Sequence, residues 1–300
     1  MESVTSHFRG ILTKGGGILL LSVTLVKGNT ISMENSDSIR LAIFSAVLVI
    51  CAIWEWAAPR KQRTRTRLLR WTNNLGLVGL NSAILAMTMP ILAIEAAVLS
   101  QNNQIGLLHH LPVSSWITVP LSVVLLDAVI YAQHRVFHRI PILWRLHRMH
   151  HADRDIDVTT GARFHPIEII LSMWIKIAVV LALGVSPLAV LLFEIILNAS
   201  AMFNHSNAKL PLVADKRLRT VIVTPDFHRV HHSIIAKETH SNFGFFLSVW
   251  DRWFGTYRSQ PELGHDKVVI GLPEFAAPEE QRLDKLLTQP FRKDPTAKRD

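Results

Sequence analysis

Long apolar runs constrain this chain more than any other feature of its sequence. A helix needs about 20 mostly apolar residues to cross a bilayer, and such runs extend over 39–58, 75–99 and about 113–131. A fourth run, 167–203, is interrupted by Gly-Val-Ser-Pro at 184–187. Because glycine and proline end helices, the fourth run predicts a helical hairpin whose ends emerge on one side. The sequence therefore predicts an all-α, polytopic membrane helical bundle of about three spans plus a hairpin.

The composition supports a membrane protein and excludes several kinds of site. Mean hydropathy is +0.26 and 18% of residues are charged, against roughly a quarter in soluble domains. These values exclude intrinsic disorder and argue against a purely soluble enzyme. The single cysteine, Cys51, excludes an intramolecular disulfide, a thiolate zinc site and an iron–sulfur cluster.

Basic residues predict which way the helices run. Six Lys and Arg residues lie within 60–70 beside the first apolar run, whereas the loop 100–111 has none. By the positive-inside rule the first loop is cytoplasmic, and so are the end of the third run and the chain from 208 onward. A nucleic-acid patch is the alternative, but no aromatic residues interleave the basic ones, so we expect no nucleic-acid partner. We expect an integral multi-pass protein, with a bacterial inner membrane as the favoured location.

Histidine spacing points to metal binding on the predicted cytoplasmic side. Of the 15 histidines, most fall in clusters spaced His-x3-His or His-x2-His-His. Residues three and four apart share one face of a helix, so each cluster can aim its rings at a common point. The clusters offer eight candidate ligands, which is more than one metal needs and enough for two metals with open positions. The eight are His134, His138, His147, His150, His151, His228, His231 and His232.

Isolated histidines are more often ordinary polar residues than ligands. We assign that ordinary role to His7, His109, His110, His240 and His265. One His-x3-His pair would itself be weak support for a metal, but three clusters on one side, with no competing thiol, favour a metal-binding cap.

Histidine ligands alone do not identify the metal, because imidazole binds zinc, copper, iron and nickel. The zinc-protease signature His-Glu-x-x-His is absent, and a structural zinc site would need only four ligands. Soluble di-iron bundles use Glu-x-x-His pairs, whereas this chain offers almost only histidine. A nitrogen-rich pair of irons is the favoured interpretation.

The order of the motifs resembles a known family. The histidine clusters, Asn204-His205, Asn242-Phe243-Gly244 and the stretch 250–256 (WDRWFGT) are similar to the fatty acid hydroxylase/sterol desaturase superfamily over about 121–257. The resemblance implies an integral membrane monooxygenase of lipid biosynthesis, with two Fe ions as cofactor and O2 as co-substrate. It also implies that the eight clustered histidines are iron ligands, with His205 a ninth. His165 fits the family context too, and whether it is a ligand stays open.

The resemblance extends to electron supply and to domain organisation. Relatives with a fused cytochrome b5 domain carry His-Pro-Gly-Gly, but this chain has His-Pro-Ile-Glu at 165–168. Electrons are therefore expected from a separate donor (a ferredoxin, cytochrome b5 or a reductase). We divide the chain into an ambiguous N-terminal segment with a short hydrophobic run at 15–26, transmembrane helices, a catalytic domain and a peripheral polar tail. Their predicted bounds are 1–38, 39–120, 121–257 and 258–300.

Carboxylates inside or beside the spans are candidates for orienting the ligands. Asp127 lies seven residues before His134, on the same helix face, and an acidic residue within a span is costly and usually functional. A helix-packing aspartate is the competing interpretation. Glu168, Asp226 and Glu194 are weaker candidates.

Two functional classes remain. The favoured one is an O2-dependent hydroxylase or desaturase acting on a sterol, a fatty acyl chain or an ether lipid drawn from the bilayer. The alternative is a divalent metal ion transporter or a metal-binding membrane protein, which predicts polar residues distributed through the spans. The spans offer only isolated candidates such as Asp127, Lys176 and Glu194.

Overall fold

In the computed structural model, residues 33–64 and 66–293 are described, with side chains from residue 36 onward. Within these ranges the chain forms helices and isolated β-bridges but no β-strand. The hydrophobic run predicted at 15–26 and His7 lie outside the described residues. The helices are α1 (Met33–Ala57), α2 (Arg67–Thr88), α3 (Ala93–Asn103), α4 (Ser115–Arg139), α5 (Pro141–His151), α6 (Pro166–Leu183), α7 (Pro187–His205), α8 (Leu212–Leu218), α9 (Pro225–His231), α10 (Ala236–Thr239), α11 (Val249–Trp253), α12 (Gly264–Lys267) and α13 (Leu283–Thr288).

Five helical stretches are long and apolar enough to cross a membrane, by length and composition. Three successive stretches and a hairpin make up this set, which confirms the predicted all-α, polytopic organisation. Short 3-10 turns connect the remaining elements. The five stretches are Ser36–Ala57, Arg67–His110, Ser115–Arg139, Pro166–Leu183 and Pro187–His205.

Prolines set where the helices begin. Pro141, Pro166, Pro187 and Pro225 each occupy the first turn of their helix. Proline is tolerated there because the first N–H groups of a helix have no partner within the helix. Since each proline follows the end of another element, the chain bends at these points and brings several helix ends together.

The second apolar run is not one helix, which corrects our prediction of a single run over 75–99. The backbone of Met89 turns extended, and α3 begins only at Ala93. Pro90 explains the break, because proline has no N–H and its ring clashes with the preceding turn. The Glu95 carboxylate accepts a hydrogen bond from the Leu92 N–H at 3.0 Å and starts α3 anew.

The hairpin turn lies where the sequence predicts it. Gly184 ends α6 in the left-handed region at φ +74°, and the Ser186 hydroxyl accepts from the Ala189 N–H to begin α7. Gly106 packs directly on this turn, where an added Cβ would lie 2.1 Å from the Gly184 nitrogen. The loop after α3 and the hairpin turn therefore lie at the same end of the bundle.

The basic loop and the histidine clusters lie at the opposite end. The Arg60 guanidinium pairs with Asp226, just before the last cluster, at 3.0 Å. Arg70 pairs with Asp153, just after the middle cluster, at 2.8 Å. The relative placement of the loops agrees with the predicted topology, while the assignment of this end to the cytoplasm remains a prediction.

Helix α7 runs through the core. Its residues Val190 and Phe193 are buried with Leu126 of α4 and Val180 of α6. Nearer the C-terminal end of α7, the backbone of Gly161, from the segment after α5, packs against it. A Cβ added to Gly161 would lie 2.5 Å from the Ala201 carbonyl oxygen. This close contact holds the segment after α5 against the span that ends in His205.

The C-terminal segment packs into the protein, whereas the sequence led us to expect a peripheral tail. Leu286 of α13 is fully buried against Leu77 and Met149. Gln281 accepts a hydrogen bond from the Arg163 guanidinium at 2.7 Å. The helices here span only three to six residues, whereas the sequence pattern suggests one amphipathic helix near 278–287. The predicted domain boundaries remain a prediction.

A buried ion-pair network fastens α2 to the segment after α5. Arg70 donates to both Asp153 oxygens at 2.8 Å and to Asp157 at 2.6 Å, and all three residues are at most 1% exposed. Burial by itself raises the pKa of Asp153, but Arg70 and Arg163 outweigh it and hold that pKa well below its usual range. The Asp153 carboxylate therefore stays charged, and Arg70 is a hydrogen-bond partner of both carboxylates.

We expect Arg70→Leu to be among the most destabilising single substitutions at this end of the bundle. It leaves two buried carboxylates short of a partner, and breaking a buried pair costs about 3–5 kcal/mol. Thermal unfolding of the detergent-solubilised protein, followed by size-exclusion chromatography, measures the effect. Arg282→Leu is the control, since Arg282 pairs with Asp284 at the exposed surface. Equal unfolding midpoints for the two variants would contradict the role of the network.

Candidate metal centre

The histidines converge because four helices end at one place. His134 and His138 lie in the last turns of α4, and His205 is the last residue of α7. The other six histidines lie at the ends of α5 and α9. A helix C-terminus carries a partial negative charge. The convergence of four such ends therefore favours a cation at their meeting point.

The structure brings together all nine histidines predicted as ligands, in two groups. In each group the available ring nitrogens lie within 4.8 Å of one another. All nine side chains are buried, with at most 6% of any residue exposed. The first group is His134, His138, His147, His151 and His231; the second is His150, His205, His228 and His232.

The two groups adjoin each other. The ring centroids of His151 and His232, one from each group, lie 4.5 Å apart and the rings stack. His147 and His150 are similarly close, with ring centroids 5.2 Å apart. Two ions held by these groups would therefore be neighbours.

Hydrogen bonds fix the ring tautomers in the first group. His134 Nδ1 lies 2.8 Å from the Phe243 carbonyl oxygen, and His147 Nδ1 lies 2.7 Å from Glu168 Oε1. Both partners accept, so each Nδ1 carries a proton, and in the neutral ring, which is the form that binds metal, each Nε2 presents a lone pair. The two Nε2 atoms lie 3.1 Å apart. Facing lone pairs cannot bond to each other, whereas a cation between them binds both.

The second group repeats this arrangement. His205 Nδ1 donates to the Ala201 carbonyl at 2.6 Å and His150 Nδ1 to the Arg163 carbonyl at 3.1 Å. Their Nε2 lone pairs face each other at 3.0 Å, and His228 Nε2 lies 3.1 Å from that of His205. The same backbone-anchored tautomer therefore occurs in both groups.

Other rings have nitrogens with no partner at all. His138 and His151 have none on either nitrogen, and His231, which donates Nδ1 to the Ser241 carbonyl at 2.7 Å, has none on Nε2. Buried polar atoms normally have partners. Metal–imidazole bonds of about 2.0–2.1 Å place ligand nitrogens up to about 4 Å apart, close to the spread seen here. These residues fit metal ions, and both groups can hold one.

Burial also favours the neutral form of the histidine rings, which is the form that binds metal. Outside the spans, burial lowers the pKa of His150, His151, His228 and His232 well below the usual value, and neighbouring rings lower it further. Burial also lowers the pKa of His231, although its bond to the Ser241 carbonyl acts in the opposite direction. Neutral imidazole is the form that binds metal.

The candidate carboxylates divide between the site and its surroundings. The Glu168 carboxylate accepts a hydrogen bond directly from the His147 ring. Asp127 has no hydrogen bond to a histidine; it accepts from the Leu247 N–H at 3.1 Å and from the Trp250 indole N–H at 2.7 Å. It thereby holds the loop that follows Phe243, whose carbonyl anchors His134. The other two candidates form ion pairs instead: Asp226 with Arg60, and Glu194 with Lys176.

Two histidines outside the predicted set lie nearby. His165 belongs to neither group; its Nδ1 accepts from the Ile167 N–H at 3.2 Å and begins α6. His240, assigned an ordinary role from the sequence, has its ring centroid 5.4 Å from that of His138. It too lies outside both groups.

Asp251, which lies within the stretch 250–256 (WDRWFGT), has a structural role that was not predicted from the sequence. Its two oxygens accept from the Phe243 and Gly244 N–H groups, each at 2.8 Å. Because the Phe243 carbonyl accepts from His134, Asp251 fixes the peptide that orients this ring. In the sequence, the spacing of Asp251 from the Asn-Phe-Gly motif was the signal for this role. Every residue has a backbone carbonyl, so the identity of residue 243 does not show that its carbonyl orients a histidine.

Comparison with known proteins shows what this part of the chain is similar to. The family model described as "Fatty acid hydroxylase" matches residues 119–256. The ornithine lipid hydroxylase OlsE of Rhizobium tropici is 31% identical over 144 residues, covering 48% of this chain and 42% of that protein. Human alkylglycerol monooxygenase is 30% identical over 149 residues, covering 47% of this chain and 30% of its own length. Rat cholesterol 25-hydroxylase is 25% identical over 146 residues, covering 48% and 47%.

The chain spans less than half the length of these curated relatives. No solved structure matches it.

We expect Glu168→Ala to weaken metal binding by roughly 10–100-fold, because it removes the acceptor that orients His147. Glu168→Gln, which keeps an acceptor oxygen, should restore part of the loss. Metal retention during dialysis against graded chelator measures the affinity. Glu95→Gln is the matched control, since Glu95 caps α3 far along the chain from every histidine cluster. Equal affinity in Glu168→Ala and the control would exclude this role.

The metal-free protein should lose stability as pH falls. The buried rings outside the spans have pKa values well below 6.5 when folded, while unfolded histidine titrates near about 6.5. The unfolded state therefore binds more protons below that value. Stability is full above it and falls as pH drops through it. Unfolding midpoints of chelator-treated protein at about pH 7.5 and about pH 5.5 test this; an unchanged or higher midpoint in acid would be inconsistent with buried neutral rings.

Proposed function

We propose that this chain, whose residues 119–256 match the fatty acid hydroxylase family model, is a membrane-bound di-iron oxygenase that hydroxylates a lipid. The observation that carries the proposal is the pair of adjoining histidine groups whose lone pairs face one another. Hydroxylation is favoured over desaturation because the relatives described above are named hydroxylases and monooxygenases.

The proposed reaction balances with an external electron source. One C–H bond of the lipid, one O2, two electrons and two protons give one C–OH group and one water. Two Fe ions would supply the O2 activation that side chains cannot. The electrons would come from a separate donor, a ferredoxin, cytochrome b5 or a reductase.

The chain's own residues would hold and orient this chemistry. The nine histidines of the two groups would be the iron ligands. The carbonyls of Phe243, Ala201 and Arg163, with the Glu168 carboxylate, fix ring tautomers and orientations. Such partners of ligand rings strongly affect metal affinity. Burial of every ring keeps bulk water from the centre.

An apolar groove supports a lipid as the substrate. A cavity of about 740 Å³ runs beside α4, where Ala128, Tyr131 and Val136 line it, and reaches His138. Phe254 lines the same groove from the C-terminal side. Its volume lies within the range of ligand sites. Because α4 is a candidate span, a hydrocarbon chain could pass from the bilayer along this groove to the first histidine group.

The proposed location follows from charge. The basic loop 60–70 and the histidines lie at the same end of the bundle, and basic loops favour the cytoplasmic face. We therefore assign the metal centre to the cytoplasmic face, with a bacterial inner membrane as the proposed membrane. The electron donor would approach from that side.

Iron content and lipid composition test the proposal together. The purified protein should hold close to two irons per chain. His150→Ala and His231→Ala remove one ligand from different groups, so each should lower iron content and abolish O2-dependent lipid oxidation. His110→Ala, an exposed histidine at the opposite end of the bundle, should change neither.

Mass spectrometry of membrane lipids with and without the gene identifies the reaction. A gain of one oxygen supports hydroxylation, whereas a loss of two hydrogens would assign desaturation. One bound zinc with oxidation unchanged in both histidine variants would refute the oxygenase. Metal flux without lipid change would support the transporter alternative.

A further inference from the structure

A second cavity reaches the metal centre from within the helical bundle. This chamber has a volume of about 280 Å³ and is lined by residues of α2, α4, α6 and α7. His134 and His147 of the first histidine group line it, as does the ion pair of Lys176 with Glu194. The chamber is smaller than the groove beside α4, and its lining is more polar.

Three buried oxygen atoms on residues lining this chamber lack a hydrogen-bond donor. They are Asn81 Oδ1, Gln133 Oε1 and Glu168 Oε2. In each residue the other polar atom is already engaged: Asn81 Nδ2 donates to the Phe164 carbonyl at 2.9 Å, and Glu168 Oε1 accepts from His147. The amide of Gln133 donates to the Ser172 hydroxyl. The carbonyl partner fixes the Asn81 amide with its oxygen unpaired, whereas the Ser172 hydroxyl can accept from or donate to Gln133, whose second amide atom is unpaired in either orientation.

An unpaired buried acceptor is costly, and three on one cavity call for a ligand that donates hydrogen bonds. A hydrocarbon chain cannot supply donors. A hydroxyl group can donate to one of these oxygens and accept from a neighbouring group.

The charged residues of the chamber argue for a neutral ligand. Lys176 Nζ lies 2.7 Å from Glu194 Oε1, and Arg40 lies 3.2 Å from Glu194 Oε2. The pair of cations on this wall disfavours an ammonium group. The unpaired oxygens disfavour a carboxylate or a phosphate.

We propose that Asn81, Gln133 and Glu168 form a subsite for the hydroxyl group of an uncharged lipid alcohol. The chamber lies below the usual volume of a ligand site, roughly 300–1,000 Å³, so it takes only the polar part of such an amphiphile. The subsite adjoins His134 and His147. Its assignment as a substrate subsite rests on the proposed oxygenase function, while the binding of the alcohol does not require turnover.

Binding of tritiated hexadecanol to the full chain in detergent tests the subsite. Unlabelled hexadecanol and unlabelled hexadecyl methyl ether are compared as competitors for the labelled alcohol. The ether has nearly the same length but no hydrogen-bond donor. One hydrogen bond changes affinity by up to roughly tenfold. We therefore expect the wild type to prefer the alcohol by about that factor, and Gln133→Leu and Asn81→Leu each to reduce the preference severalfold. Gln101→Leu, on the exposed surface of α3, should leave it unchanged.

Two results would overturn the subsite. One is equal competition by alcohol and ether in the wild type, which would be expected if the chamber held only water. This comparison needs no variant. The other is an unchanged preference in both leucine variants that elute as folded protein.

Iron content and lipid oxidation in the same preparations separate the two proposals. In the wild type, a missing preference for the alcohol together with two irons and intact oxidation contradicts the subsite alone. An intact preference without iron or oxidation contradicts the oxygenase alone.

Discussion

One electrostatic constraint governs the metal centre: the lone pairs of buried imidazole rings face one another. Backbone carbonyls and the Glu168 carboxylate accept hydrogen bonds from the Nδ1–H groups of His134, His147, His150 and His205. The Nε2 atoms then lie 3.0–3.1 Å apart, so in the neutral rings their lone pairs face each other. Burial opposes protonation of the rings outside the spans. A cation is the partner that resolves this arrangement, and four helix C-termini aimed at the same point favour it further.

The rest of the fold holds these rings in place. Arg70 fastens α2 to the segment after α5, and Gly161 presses that segment against α7. Asp251 holds the Phe243 peptide, while Asp127 holds the loop beyond it. Charged and polar residues near the spans thus act mainly by positioning other residues. Two cavities meet the first histidine group from different sides, one apolar along α4 and one polar within the bundle.

The sequence predicted those features that residue type and spacing encode. Apolar run length located the spans, Gly184 and Pro187 located the hairpin turn, and three- and four-residue spacing located eight histidines. It missed the break at Pro90 because the flanking residues are apolar on both sides. It did not predict that Leu286 is buried, because an amphipathic pattern near 278–287 does not tell whether its apolar face packs against the protein or lies at the membrane surface. Nor could it separate Glu168 from Asp226, since both are acidic residues near a cluster and only the fold decides which carboxylate meets a ring.

X-ray absorption at the iron edge, on iron-loaded protein in detergent, tests the central claim most directly. Two neighbouring ions held by the two histidine groups predict a first shell dominated by imidazole nitrogen. They also predict a second iron as a scatterer at about 3.5–4 Å, the usual separation in two-metal sites. A nitrogen-poor first shell, or a spectrum with no iron neighbour at full iron loading, would contradict the account.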